Sequence, residues 1–263
     1  FAAYARQQFG SAPQYLFIIG RGMNYVEHRN NEQRPLTKQI NLVPTFGWPA
    51  SDNLLTAAHG TVTPLIRIGR LAAVNGTEVK GYLDKVVEYE QVQQQPTNSI
   101  ASSGWMKNVL HVAGGKDSAE NALFVQYMNG YANIIRDTSF GASVETFSKT
   151  STGVIQQENN QRIREILQNG VGFIGYFGHS SANTFEFNLS EPEQYNNAGK
   201  YPFFNVSGCS AGDFYVYDPL RLSGNKTISE KYVLAPNRGS IGFLADTHFG
   251  IPPFLNFYNI ALY

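Results

Sequence analysis

A cysteine and a histidine each follow a short apolar segment of this chain, and together they could perform nucleophilic catalysis. His179 follows the apolar residues 171–177, and Cys209 follows residues 203–207. A thiolate is a strong nucleophile, and a nearby imidazole can take its proton and later protonate a leaving amine. Cys209 is the only cysteine, so the sequence excludes an internal disulfide.

Glycines stand directly before both residues. Gly178 precedes His179, and Gly208 precedes Cys209. Without a Cβ, the backbone can come close to a substrate carbonyl and point N–H groups at it. We predict that the N–H groups of Gly178 and Cys209 form an oxyanion hole.

Each residue also has an ordinary structural interpretation. A single cysteine after an apolar strand is often an inert buried thiol, and a histidine at a strand end often forms only structural hydrogen bonds. Catalysis and the structural interpretation are about equally supported by the pattern, because both residues end consecutive apolar segments and both have an adjacent glycine.

The elements that must position these residues follow an alternating pattern. Short, nearly continuous apolar segments predict buried strands at 15–19, 65–68, 109–113, 171–177, 203–206 and 240–245. Such strands are typical of a parallel sheet covered on both faces. Helices are predicted between them at 77–94, 117–136 and 156–168, which together indicate an α/β fold. In open parallel sheets, ligands bind at the carboxyl ends of the strands, where His179 and Cys209 would meet.

The helix at 77–94 is predicted to turn an apolar stripe inward, formed by Val79, Leu83, Val86 and Val87. Residues 27–59 are interrupted by prolines and glycines, and they predict a long irregular segment. Residues 93–99 are the best candidate for a linker. We therefore expect an N-terminal α/β subdomain at 1–98 and a catalytic subdomain at 99–263.

Composition limits the possible functions. The chain of 263 residues has a net charge of zero, so its overall charge does not predict binding to nucleic acid or to an anionic membrane. No apolar segment approaches the ~20 residues of a membrane-spanning helix. Neither metal-ligand spacing nor a cofactor motif is evident, so we predict no metal and no cofactor. The chain begins at Phe1 without Met, and we expect it to be part of a larger, multidomain protein.

Three segments carry a family resemblance. Residues 68–73 resemble a Gly-Arg-Leu segment, residues 176–181 a Gly-His-Gly-Ser segment, and residues 208–214 a Cys-x-x-Gly-Asp-Phe segment. The chain thereby resembles the gingipain-type cysteine peptidases, which share the caspase-like fold. The similarity extends from about Tyr15 to Pro253, and the segment with Cys209 is the most specific.

The resemblance implies a caspase-like, mainly parallel sheet flanked by helices, with a smaller N-terminal α/β subdomain. It implies a cysteine endopeptidase that cleaves a protein or peptide substrate through a thioester on Cys209, with His179 as the base. It also implies export by type IX secretion to the medium or the bacterial outer-membrane surface. Two alternatives stay open: a non-catalytic structural or binding domain of a surface protein, and a sortase-like transpeptidase of the same pathway.

The sequence departs from the family pattern at two places. Ser180 stands where the family segment has glycine, and its Cβ would narrow the approach of a substrate. No acidic residue aligns cleanly with the family's third catalytic acid. Asp117 or Glu120 could orient His179, although helix capping is the favoured interpretation of both.

The exit of the last predicted strand also carries polar residues. In the resembling enzymes this exit lines the pocket for a substrate side chain. Asp246, Thr247 and His248 are therefore predicted to bind substrate, with Asp246 receiving a basic side chain and His248 as an alternative imidazole. Turn formation is the structural alternative for these residues.

Overall fold

The chain is described by a computed structural model covering residues 2–94, 99–148, 157–185, 189 and 191–263. Most of the predicted linker at 93–99 lies outside the described residues. The chain divides into two compact units. The first comprises Phe1–Val79 and Asp213–Lys226, and the second comprises Lys80–Gly212 and Thr227–Tyr263.

Seven strands and ten α-helices lie in the described residues. The strands are β1 (Tyr15–Ile19), β2 (Arg67–Leu71), β3 (Asn108–Gly114), β4 (Ser143–Ser148), β5 (Phe173–Gly178), β6 (Phe203–Ser207) and β7 (Gly242–Ala245). The helices are α1 (Ala2–Gln8), α2 (Tyr25–Asn31), α3 (Thr37–Ile40), α4 (Asn53–Thr56), α5 (Gly76–Gln93), α6 (Ile100–Ser103), α7 (Ser118–Ile135), α8 (Gln157–Asn169), α9 (Ile228–Leu234) and α10 (Pro252–Leu262).

All pairs among the described strands are parallel. The second unit contains a five-stranded sheet in the order β4-β3-β5-β6-β7, and the first contains the pair β1-β2. The prediction of an α/β fold with a mainly parallel sheet flanked by helices is confirmed. β4 was not predicted, because its sequence Ser-Val-Glu-Thr-Phe-Ser has no continuous apolar run.

The core of the second unit lies on both faces of the five-stranded sheet. On one face, residues of α8 and α9 pack against Leu110, Ile174 and Phe204. On the other, Phe124 and Met128 of α7 pack against Phe177. The three inner strands β3, β5 and β6 are buried on both sides, which explains why their sequences are mostly apolar.

The two-stranded sheet of the first unit differs from the prediction. β1 was expected to be buried, but Tyr15, Phe17 and Ile19 are more than half exposed. Only Ile18 of this strand is buried. The apolar run therefore reflects a strand with one covered face, which periodicity alone did not distinguish.

The Gly-Arg-Leu segment ends β2 and has a structural role in the first unit. Arg70 donates two hydrogen bonds to Asp52, from Nε to Oδ2 (2.6 Å) and from Nη2 to Oδ1 (2.8 Å). Tyr215 donates from its hydroxyl to the same carboxylate at 2.8 Å. Burial would raise the pKa of Asp52, but the hydrogen bond and charge of Arg70 outweigh burial and lower it. These contacts tie the segment that follows the cysteine to β2 of this unit.

The inward side of α5 is not the predicted apolar stripe. Leu83 and Val87 are exposed, and Lys85 is the buried residue of the helix. Lys85 is accommodated because its Nζ donates to the carbonyl oxygens of Val233 (2.7 Å), Ser240 (2.9 Å) and Arg238 (3.1 Å). A buried amino group is tolerated only with such partners, and no pattern in the sequence indicates them.

Lys85→Met is expected to lower the free energy of unfolding by about 3 kcal/mol, because the carbonyls of Val233, Arg238 and Ser240 would be left buried without a donor. Lys80→Met, on the exposed side of the same helix, is the matched control, with an expected change within about 0.5 kcal/mol. Urea denaturation measures both. Equal effects of the two substitutions would contradict the role assigned to Lys85.

Candidate active site

The exits of β5, β6 and β7 lie at one edge of the five-stranded sheet. The registers pair Phe177 with Ser207 and Val206 with Ala245, so the three strands end level with one another. His179 follows β5, Cys209 follows β6, and Asp246 follows β7. Parallel pairing thus brings all the sequence-predicted site segments to the same edge, which is where α/β folds bind ligands.

The backbone of His179 is held on two sides. Its N–H donates to the carbonyl of Gly114 at the end of β3 (3.2 Å), and its carbonyl accepts from the hydroxyl of Tyr176 (2.6 Å). Gly178 is required for this approach, because a Cβ there would lie 2.7 Å from the Gly114 oxygen. The two strand-end glycines therefore place the histidine beside the loop that follows β3.

The first turn of α7, which directly follows that loop, supplies a carboxylate to the histidine. Glu120 Oε2 lies 2.8 Å from His179 Nε2. A carboxylate only accepts hydrogen bonds, so Nε2 carries the proton and the Nδ1 lone pair is left to act as a base. The side chain of Glu120 is 19% exposed and that of His179 is 38% exposed, so the imidazole remains accessible to solvent.

Glu120 both takes part in the hydrogen bonds at the start of α7 and contacts His179, two roles that the sequence analysis treated as alternatives. Asp117 is the N-cap of α7 and accepts from the N–H of Glu120 at 2.9 Å. The carboxylate of Glu120 accepts a hydrogen bond from the N–H of Lys116 at 2.8 Å, and the same carboxylate is hydrogen-bonded to His179. Burial would raise the pKa of Glu120, but the Lys116 N–H and then the hydrogen bond with His179 lower it.

The resemblance described under the sequence analysis implies peptide hydrolysis, and on that expectation Glu120→Gln should lower kcat/KM about 100-fold, because a neutral amide neither stabilises an imidazolium nor enforces one tautomer. Asp117→Asn is the matched control: asparagine caps a helix as well as aspartate, so kcat/KM should stay within about threefold. Steady-state kinetics on one peptide substrate compares them. A similar loss in both variants would mean that Glu120 acts only through the helix cap.

The cysteine lies on a tightly connected turn. Cys209 is partly exposed. Its carbonyl accepts a hydrogen bond from the hydroxyl of Ser180 at 2.9 Å, so the turn is joined directly to the residue that follows the histidine. The next residue, Ser210, has a φ of 55°, a left-handed conformation that is uncommon for a residue other than glycine.

The loop after β7 is joined to the same turn. Ser210 donates from its N–H to the carbonyl of His248 (2.8 Å), and Gly212 donates to the carbonyl of Asp246 (2.9 Å). A Cβ on Gly250 would lie 3.2 Å from the Gly208 oxygen and 3.3 Å from Asp246 Oδ2. The carboxylate of Asp246 and the carbonyl oxygen of Gly208 therefore both lie close to Gly250. Thr247 and His248 belong to the same loop.

Asp246 is a partly buried carboxyl, and no cation among the described residues pairs with it. Burial raises its pKa to about 6, from an ordinary value near 3.8. Because the folded-state pKa is the higher one, this residue costs stability as pH rises through the window from about 4 to 6. A positively charged ligand group would remove that cost.

Asp246→Asn is therefore expected to raise the free energy of unfolding at pH 7.5 by about 1–2 kcal/mol, with the gain disappearing near pH 4. Asp84→Asn, at an exposed position of α5, should give no gain at either pH. Thermal unfolding at several pH values measures the difference. If the gain in the free energy of unfolding did not depend on pH, it would contradict the interpretation that Asp246 is ionised and unpaired at pH 7.5.

Within the described residues, no three His, Cys, Asp or Glu side chains are grouped as a metal site would require. None of the described helices combines the length and the hydropathy needed to cross a bilayer.

Similarity to known proteins covers the whole chain. The sequence model of peptidase family C25 matches residues 1–263. Among curated proteins, none gives a significant match.

Solved structures share the fold. The Arg-specific cysteine proteinase gingipain R (RGPB) superposes with a TM-score of 0.68 at 19% identity, covering 99% of this chain and 56% of that one. The complex of Porphyromonas gingivalis RgpB pro- and mature domains gives a TM-score of 0.70 at 17% identity, covering 98% and 56%. A structure described as a protease gives 0.69 at 16% identity, covering 98% and 52%. The chain thus spans about half the length of the chains it matches, and it has their caspase-like fold.

Proposed function

The chain belongs to peptidase family C25, and from that premise we propose that it is a cysteine endopeptidase in which Cys209 is the nucleophile and His179 the general base. The observation that carries the proposal is the His179–Glu120 pair, 2.8 Å apart, at the sheet edge where Ser180 joins the histidine segment to the cysteine turn. A histidine that is oriented by a carboxylate and still exposed is the arrangement that proton transfer requires.

The reaction proceeds in two halves. Nδ1 of His179 takes the proton of the Cys209 thiol, and the sulfur attacks the peptide carbonyl carbon. The N–H groups of Gly178 and Cys209 stabilise the resulting oxyanion. The tetrahedral intermediate then collapses: the C–N bond breaks, and the imidazolium gives its proton to the leaving amine. Water, deprotonated by His179, cleaves the thioester and restores the thiol.

Asp246, Thr247 and His248 are proposed to form the pocket for the side chain of the residue before the cleaved bond. The partly buried carboxylate of Asp246 favours a basic side chain, because pairing with a cation offsets its desolvation. A protein or peptide with Lys or Arg at that position is therefore the proposed substrate class.

The family resemblance supports further parts of the proposal. Residues 99–263 are proposed to act as the catalytic subdomain, within a larger protein exported by type IX secretion to the medium or the outer-membrane surface. The non-catalytic and transpeptidase alternatives are distinguished by experiment.

The test is hydrolysis of a mixed peptide library by the wild type and by Cys209→Ala, read by mass spectrometry. The expected result is cleavage after Lys or Arg by the wild type and none by the variant. Adding a primary amine separates transfer from hydrolysis, since a joined product at the expense of the free acid indicates a transpeptidase. Cleavage by both proteins, or by neither, would contradict the proposal.

A further inference from the structure

The peptide unit between Cys209 and Ser210 is held at both of its polar groups. Its carbonyl accepts from the Ser180 hydroxyl at 2.9 Å, and its N–H donates to the carbonyl of His248 at 2.8 Å. The first bond comes from the loop after β5, and the second from the loop after β7. The orientation of this one peptide plane is thus determined by the two loops that flank the cysteine.

The held orientation is a strained one. With a φ of 55°, Ser210 adopts a conformation that costs free energy for any residue with a Cβ. Rotation of the Cys209–Ser210 peptide plane would change the φ of Ser210 and the ψ of Cys209 together. Such a rotation would relieve the strain, but it would break the bonds to Ser180 and His248. The two hydrogen bonds therefore oppose a relaxation that would reorient the backbone of the nucleophile.

The hydroxyl of Ser180 is also packed against the residue before the nucleophile. A Cβ added at Gly208 would collide with Ser180 Oγ, and it would lie 3.2 Å from Ser180 Cβ. The family segment has glycine at the position of Ser180, so it offers no hydroxyl there. This chain has a side-chain bond from the histidine loop to the cysteine turn that the family pattern does not provide.

We propose that Ser180 is a positioning residue for Cys209: its hydroxyl holds the Cys209–Ser210 peptide in the strained orientation that presents the thiol and the Cys209 N–H to a substrate. The inference rests on the proposed peptidase function. Ser180 transfers no proton and acts only through the backbone of Cys209.

The test compares Ser180→Gly and Ser180→Ala, which remove the hydroxyl, with Ser180→Thr, which keeps it. For a peptide substrate, kcat is expected to fall about 10- to 100-fold in the first two variants with KM changed less than about twofold, because only the placement of the nucleophile is lost. Ser180→Thr should restore kcat to within about threefold. Melting temperatures, measured alongside, should not follow this order.

The rate of Cys209 alkylation by iodoacetamide, which requires no peptide, provides a second measurement. It should fall in Ser180→Gly and Ser180→Ala and recover in Ser180→Thr. Unchanged kcat and alkylation in all three variants would overturn the role of Ser180, as would equal losses in all three. If the wild type cleaves no peptide and His179→Ala leaves alkylation unchanged, the peptidase proposal fails. The alkylation rates of the Ser180 variants would then still show whether the Ser180 hydroxyl, through the Cys209 backbone, controls the reactivity of the thiol.

Discussion

His179→Ala is expected to lower kcat/KM for peptide hydrolysis by about 10⁴-fold, leaving the free energy of unfolding within about 1 kcal/mol of the wild type. The loss is large because, in the proposed mechanism, the imidazole both generates the thiolate and protonates the leaving amine. The effect on stability is small because the side chain is 38% exposed. Steady-state kinetics with a Lys- or Arg-containing peptide measures the first quantity, and urea denaturation the second.

The matched control is His248→Ala, which removes the other imidazole at this edge of the sheet. Since His248 is assigned to substrate binding, its loss should raise KM and lower kcat/KM by no more than about tenfold. If His248→Ala were the more damaging variant, the general base would be His248 and the assignment of His179 would be wrong.

The second large effect is expected at the glycine before the cysteine. Gly208→Ala should lower kcat by at least about 100-fold, because the new Cβ would lie 2.6 Å from the carbonyl oxygen of Gly178 and would meet Ser180 Oγ. A serine side chain can rotate away, but the Gly178 oxygen belongs to a central strand and cannot. The turn carrying Cys209 must therefore shift.

Combining Gly208→Ala with Ser180→Gly tests this reasoning: kcat of the double variant should stay well below that of Ser180→Gly alone, because removal of the hydroxyl leaves the contact with the Gly178 oxygen. Gly130→Ala is the control, because a Cβ at this position of α7 meets nothing within 4 Å. It should leave kcat unchanged and raise stability slightly. Wild-type kcat in Gly208→Ala would show that the turn tolerates the displacement.

The parts of the fold that sequence could predict are those with a continuous apolar signal. β3, β5 and β6 were predicted within two residues at each end, because strands covered on both faces leave little room for polar side chains. β4 was missed because it has no continuous apolar run, and β1 was wrongly expected to be buried because one of its faces is open. The burial of the Lys85 side chain was not predictable, since the carbonyl groups that accept its hydrogen bonds belong to residues about 150 positions later in the chain.

The family resemblance is confirmed, and so is the fold it implied. The roles of Cys209, His179 and Asp246 remain predictions. The prediction that the segments carrying them lie at one edge of the sheet is confirmed, because β5, β6 and β7 are parallel and end level with one another.

The link between Glu120 and His179 could not be derived from sequence alone. Residues in the first turn of a helix are commonly caps, and the neighbouring position of β3 and β5 in the sheet was unknown. The available signal was a carboxylate three residues after the capping Asp117, just beyond the end of an adjacent strand.

The most direct test of the central claim is the rate at which iodoacetamide alkylates Cys209 near neutral pH in the folded wild type, in folded His179→Ala and in the urea-unfolded chain. A reactive cysteine paired with an imidazole should be alkylated at least about tenfold faster in the folded wild type than in the unfolded chain, and His179→Ala should abolish that excess. Alkylation of the folded wild type that is no faster than that of the unfolded chain, and that His179→Ala leaves unchanged, would show that the thiol is inert and that the two residues do not form a catalytic pair.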